Sequence, residues 1–187
     1  MRQRPLRGFE CRQSNVRRQS LSDRAKCVPT HERTRIVEIR DQRAQRILTS
    51  TESQRRERVQ RLTRFIAMLP DHPRFAFEFR HDSWLIPSVC DVLRTRRIAL
   101  CIPDHPKMPQ MFEITSDFTY IRMHLPSQGL GYGKRALQSW AERAAAWSAR
   151  GLDVFVYFNN DMEGHAIEDA QTLKELVTRA STELGRR

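Results

Sequence analysis

FAFEFRHDSW, residues 75–84, decides how this 187-residue chain is read. Phe75, Phe77 and Phe79 recur with period two and share one face of a strand, while Glu78 and Arg80 share the other. His81, Asp82, Ser83 and Trp84 then break the alternation. An apolar strand that ends in convergent charge is a common way for α/β enzymes to present polar groups to a ligand.

Downstream, the pattern repeats. Pro87 suits the first turn of a helix, with Val89, Val92 and Leu93 as its buried stripe. Residues 98–102, IALCI, form a continuous apolar run of the kind buried on both faces of a parallel sheet, ending at Pro103–Asp104. A third strand is expected over 118–125, ending at Pro126. A loop with Gly129, Gly131 and Gly133 follows. A helix over 134–150 has Leu137, Trp140, Ala141, Ala144 and Trp147 on one face, and Gly151 closes it. The fourth strand is expected over 154–158. The last helix runs from about His165 to Leu184, with Ala166, Ala170, Leu173, Val177 and Ala180 inward. Strands alternating with helices imply right-handed crossovers and parallel pairing. Four such units make half of a (β/α)₈ barrel or a small open sheet.

The C-terminal ends of these strands carry the chemistry. The first offers Glu78, Arg80 and His81, the second Asp104 and His105, the third Arg122 and His124, the fourth Asn159 and Asn160. In a parallel sheet these ends open on one side. Such a set suits a small polar or anionic ligand held by Arg80, Arg122 and Asn160, with Glu78, Asp104 or His124 as the acid–base group. Each residue also has a plainer use. Glu78 and Arg80 can form an ion pair within the sheet. Asp104 can cap a turn, Arg122 can neutralise Glu78 or Asp104, His124 can be a hydrogen-bonded core histidine, and Asn159–Asn160 can shape a turn. Trp84, Trp140 and Trp147 are expected to be packing residues. Glu78, Asp104 and His124 form a weak His–carboxylate set, with no ligand spacing of the HExxH kind. No metal is therefore assigned, and the cofactor is unknown. The absence of a Gly-rich phosphate loop after the first strand disfavours a Rossmann-type nucleotide fold.

The upstream third is different. Residues 1–64 hold 18 Lys+Arg and 7 Asp+Glu, whereas residues 65–187 hold 15 of each, so the whole net charge of +11 lies upstream. Residues 1–64 contain one aromatic, Phe9, and scattered apolar positions, too few to offset chain entropy. One short run, residues 35–39, passes as a strand. From Val59 a helical pattern begins through Leu62, Phe65, Ile66 and Leu69, and Pro70 and Pro73 end it. The division expected is a basic, poorly structured or non-native segment, 1–58, and an α/β domain, 59–187. The upstream segment is a nucleic-acid-binding arm, a solvated tail, or a stretch foreign to the rest through a shifted frame or start, the last being preferred. Cys11, Cys27, Cys90 and Cys101 form no CxxC pair, and nothing approaches 18 consecutive apolar residues, so a reducing cytoplasmic location without membrane insertion is expected.

Several separated motifs, in order, resemble the domain-of-unknown-function family 72, the YecE-like proteins. They are EFRHDSW at 78–84, Asp104, TSDFTYIRMH at 115–124, Tyr132 with Leu137 and Trp140–Ala141–Glu142, and VYFNND with GHA between 156 and 166. RLTRFIAMLP at 61–70 resembles the helix before the first of these strands. The resemblance covers about 61–184. It implies a TIM-type barrel of which this region is the second half, strands five to eight. It also implies barrel-mouth positions for Glu78, Arg80, Asp104, Arg122, His124 and Asn160. The family's motifs for the first half are absent from residues 1–60, and the family supplies no reaction. The function expected is binding of a small polar or anionic ligand in an enzyme-like barrel, with this chain truncated and inactive. The alternative is a nucleic-acid-associated protein using its basic arm. Enzymatic status and oligomeric state are not assigned. Two exposed sheet edges would favour poor solubility or dimerisation.

Overall fold

The computed structural model describes residues 10–13, 26–30, 34–39 and 51–186. Much of the segment 1–58, expected to be poorly structured, lies outside the described residues. The chain divides into two compact units, one comprising Arg18–Ile102 and Met108–Ser116, the other Met1–Arg17, Pro103–Lys107 and Asp117–Arg187. A first strand, β1 (Glu10–Gln13), belongs to the second unit.

In the first unit, β2 (Lys26–Thr30) pairs antiparallel with β3 (Thr34–Ile39). β3 covers the run at 35–39 and lies parallel to β4 (Arg74–Phe79), with Thr34 opposite Arg74 and Ile39 opposite Phe79. Helix α1 (Glu52–Ala67) starts earlier than the apolar pattern from Val59 suggests. Its start is fixed by polar chemistry instead. Thr51 and Gln54 form a capping box, with each side chain accepting the other's backbone N–H. Leu62 and Ile66 of α1 pack on Phe75, Phe77 and Phe79 of β4 and on Val89, Cys90 and Leu93 of α2 (Pro87–Thr95). Burying each such side chain contributes about 1.5–3 kcal/mol. Every residue from Phe75 to Phe79 is buried, so β4 is covered on both faces, as parallel strands are.

β5 (Ala99–Asp104) lies parallel to β4, with Ala76 opposite Ala99. It ends at Pro103–Asp104, as the sequence indicates, and begins one residue later than the apolar run at Ile98. Its Pro103–Asp104 tip belongs to the second unit. There β6 (Phe118–Met123) and β7 (Asp153–Phe158) are parallel and in register, and β1 is parallel to β7 on its other side. Tyr120 stacks on Tyr157 with centroids 4.9 Å apart. Helix α3 (Lys134–Ala149) packs against α4 (His165–Leu184), both close to their expected bounds.

Candidate functional site

β4 carries Glu78 and Arg80 to its C-terminal end. Glu78 is fully buried, and burial of a carboxylate requires partners. Arg80 Nε donates to Glu78 Oε1 at 3.0 Å, and the Cys101 thiol lies 3.7 Å from Oε2. The pair is the intra-sheet ion pair that the spacing allows, with Arg80 partly open to solvent. His81 acts locally: its Nδ1 accepts from Ser83 N at 3.2 Å and caps the 3₁₀ turn Asp82–Trp84. Trp84 stacks on Phe79 at 5.2 Å.

In the second unit, Asp104 is tied at two levels. Its carbonyl accepts from His124 N at 3.0 Å, Leu125 N at 3.2 Å and the Tyr132 hydroxyl at 3.3 Å. Its Oδ2 accepts from Trp140 Nε1 at 2.5 Å. Burial pushes the Asp104 carboxyl above the usual carboxylate range, while the Trp140 hydrogen bond and the nearby His105 and His124 pull the other way. The two imidazoles meet edge to face, with centroids 6.2 Å apart. Burial, followed by the charges of Asp104 and Asp169, raises the Tyr132 phenol, which stays a neutral donor.

Arg122 and His124 alternate along β6 and its extension, so they leave the strand on one face. Arg122 Nε donates to Asn159 Oδ1 at 3.3 Å, and Asn159 N donates to Met123 O at 2.8 Å. The β6–β7 ladder thus continues one step past the strands and holds Asn159 under the guanidinium. Asn160, the next residue, is buried. Its Nδ2 donates to Leu130 O at 3.0 Å and to Asp169 Oδ2 at 2.7 Å. Its Oδ1 is buried without a hydrogen-bond partner.

The profile of the family "Protein of unknown function DUF72" matches residues 31–187. The chain belongs to this family. Matching solved structures are also DUF72 family proteins. The one from Thermotoga maritima MSB8 has a TM-score of 0.61 and 22% identity, over 78% of this chain and 58% of that one. Two crystal structures of a protein from Enterococcus faecalis V583 give TM-scores of 0.55 and 0.54 with 18% and 21% identity, each over 76% of this chain and over 57% and 60% of theirs. The chain therefore spans less than two thirds of the length of these relatives. No curated protein matches. These likenesses establish the fold class: α/β of the TIM-barrel type, of which four strand–helix units are described.

Against this DUF72 frame, the six residues singled out by sequence fall into two sets. Glu78 and Arg80 are paired in the first unit, while Asp104, Arg122, His124 and Asn160 all lie in the second. Within the second unit the structure joins Asp104 to His124 directly and Arg122 to Asn159. Asn160 turns toward the glycine loop. Sequence reasoning missed three contributors: Trp140, Tyr132 and Asp169. Trp140 has an indole N–H at the edge of a packing face. Asp169 is a charged residue within the buried stripe of α4, between Ala166 and Leu173. Both signals were present in the sequence. Among the described residues, no three His, Cys, Asp or Glu side chains gather to hold a metal ion, and no helix is long and apolar enough to cross a membrane.

Proposed function

We propose that this DUF72 protein binds a small polar, anionic ligand at the strand ends of its second unit. Arg122 holds the anion and the Asp104–His124 pair supplies the acid–base group. One observation carries the proposal: a half-buried carboxyl with a raised pKa is fixed by an indole N–H beside two imidazoles. Perturbed titratable groups at strand ends favour function over stability. Asn159 orients the guanidinium from beneath, which lowers the entropy lost on binding an anion. Asn160 supports the same end through its loop contacts. At the end of β4, Glu78 and Arg80 are assigned the corresponding acid–base and anion-holding roles, each already paired with the other. The setting proposed for this binding is a reducing, cytoplasmic one, where cysteines are kept as thiols.

The test is a thermal-shift and calorimetric titration with inorganic phosphate and a panel of sugar phosphates. The wild-type chain is expected to be stabilised by at least one of them. Arg122→Ala should remove that stabilisation, while Arg150→Ala, on the exposed end of α3, should not. Binding that survives Arg122→Ala, His124→Ala and Glu78→Ala alike would overturn the proposal.

A further inference from the structure

The loop from Pro126 to Gly133 connects the end of β6 to the start of α3. Three contacts in the second unit hold it. Tyr132 N donates to Asp169 Oδ2 at 2.8 Å. The same oxygen accepts from Asn160 Nδ2 at 2.7 Å, and that amide also donates to Leu130 O at 3.0 Å. Leu130 and Asp169 both present acceptors, so the Asn160 amide has one orientation that satisfies them, with its NH₂ toward both. This is why its Oδ1 is left buried and without a partner. The third contact is steric. A Cβ on Gly131 would stand 2.8 Å from His165 Nδ1, so an alanine there must displace either the imidazole ring or the loop. Gly129, at φ +73°, supplies the left-handed bend at the other side.

The seat has a consequence at the strand end. Seated this way, Tyr132 directs its hydroxyl to the Asp104 carbonyl, which also accepts the His124 N–H. We infer that loop 126–133 is a strap latched by Asp169 through Asn160 and Tyr132, and that its opening gates access to Asp104 and His124. Asp169 is a positioning residue: it acts through Tyr132 and reaches no ligand itself. The gating role rests on the proposed ligand site, whereas the latch stands independently of it. A buried carboxylate accepting a backbone N–H and an amide N–H is a strong, charge-assisted seat, and a single residue on α4 controls it.

Two perturbations reach the latch from different sides. Asp169→Ala removes the acceptor, and Gly131→Ala pushes the loop from His165 without touching Asp169. Hydrogen exchange read by mass spectrometry on the full chain is expected to speed up in 126–133 by about tenfold or more in each variant, the factor carried by one lost hydrogen bond. Amides of β6 and β7 should stay at wild-type rates. The double variant Gly131→Ala/His165→Ala should restore wild-type protection of the loop. Acylation of His124 by diethylpyrocarbonate should accelerate in both single variants, with exposed His72 as the unchanged internal reference. Wild-type exchange in the loop of Gly131→Ala, or no rescue by the double variant, would overturn the latch. An opened loop with an unchanged His124 rate would overturn the gate and leave the phosphate-binding proposal untouched. Should Asp169→Ala lose its fold, Gly131→Ala and its rescue decide the matter.

Discussion

At the residue scale, Asp104 and Glu78 are two carboxylates handled differently, the first half-buried and the second fully buried. Glu78 has a guanidinium at 3.0 Å, whereas the nearest donor to Asp104 is a neutral indole N–H. A carboxyl whose pKa is raised in the fold binds its proton more tightly folded than unfolded. Its ionisation therefore costs stability as pH rises from the unfolded value through the folded one, and the cost persists at neutral pH. Asp104→Asn keeps an acceptor for Trp140 and removes the charge. The melting temperature of Asp104→Asn relative to wild type is expected to be higher at pH 7 than at pH 3. A constant or falling difference would show that the carboxylate is stabilised in place. Arg80→Ala should act in the opposite sense, because it strips a cation from a fully buried carboxylate. A loss of about 1–3 kcal/mol in urea unfolding is expected, below the figure for a wholly buried pair because Arg80 is partly exposed. Glu78→Gln, which removes the charge and keeps the shape, should cost less than Arg80→Ala.

At the element scale, β5 shows how a single hydroxyl can fix a strand. Thr115 is buried; its Oγ1 accepts from Leu100 N at 2.8 Å and donates to Ile98 O at 2.7 Å. Thr115→Val keeps the volume and leaves both backbone groups without that partner, so a loss of about 1–3 kcal/mol is expected in chemical denaturation. A neutral result would mean that water replaces the hydroxyl. Nothing in TSDF at 115–118 announces this bond, because it joins residues 15 and 17 positions apart. The contrast explains what the sequence could reveal. The four downstream strands and the helices α3 and α4 were readable, because period-two and period-3.6 burial patterns are local. The start of α1 was not, because the apolar stripe begins a full turn after the Thr51–Gln54 capping box. The site was legible as residue types at strand ends and not as partnerships. Asn160 and Asp169 are nine positions apart, and Trp140 and Asp104 thirty-six. Only a fold-level register brings each pair together. Asp169 did leave a trace, since a carboxylate in a buried helical stripe demands a partner.

At the scale of the whole molecule, charge is divided rather than spread. Residues 1–64 carry a net +11 and residues 65–187 a net of zero. Any sequence-independent attraction to nucleic acid therefore resides upstream of the candidate site, and the two modes of binding separate experimentally. Association with duplex DNA should fall with salt along a log–log slope of about −0.9 for each phosphate neutralised. Replacing Arg2, Arg4, Arg7, Arg17 and Arg18 by Gln in the full chain is expected to flatten that slope and weaken DNA binding, with phosphate binding unchanged. Arg122→Ala should do the reverse, abolishing phosphate binding and leaving the DNA slope as it was. If the five upstream changes leave DNA affinity and slope unaltered, the basic segment has no role as a nucleic-acid arm. If Arg122→Ala alone weakens DNA, the strand-end arginine is itself a backbone-phosphate contact and the ligand at that end is a polyanion.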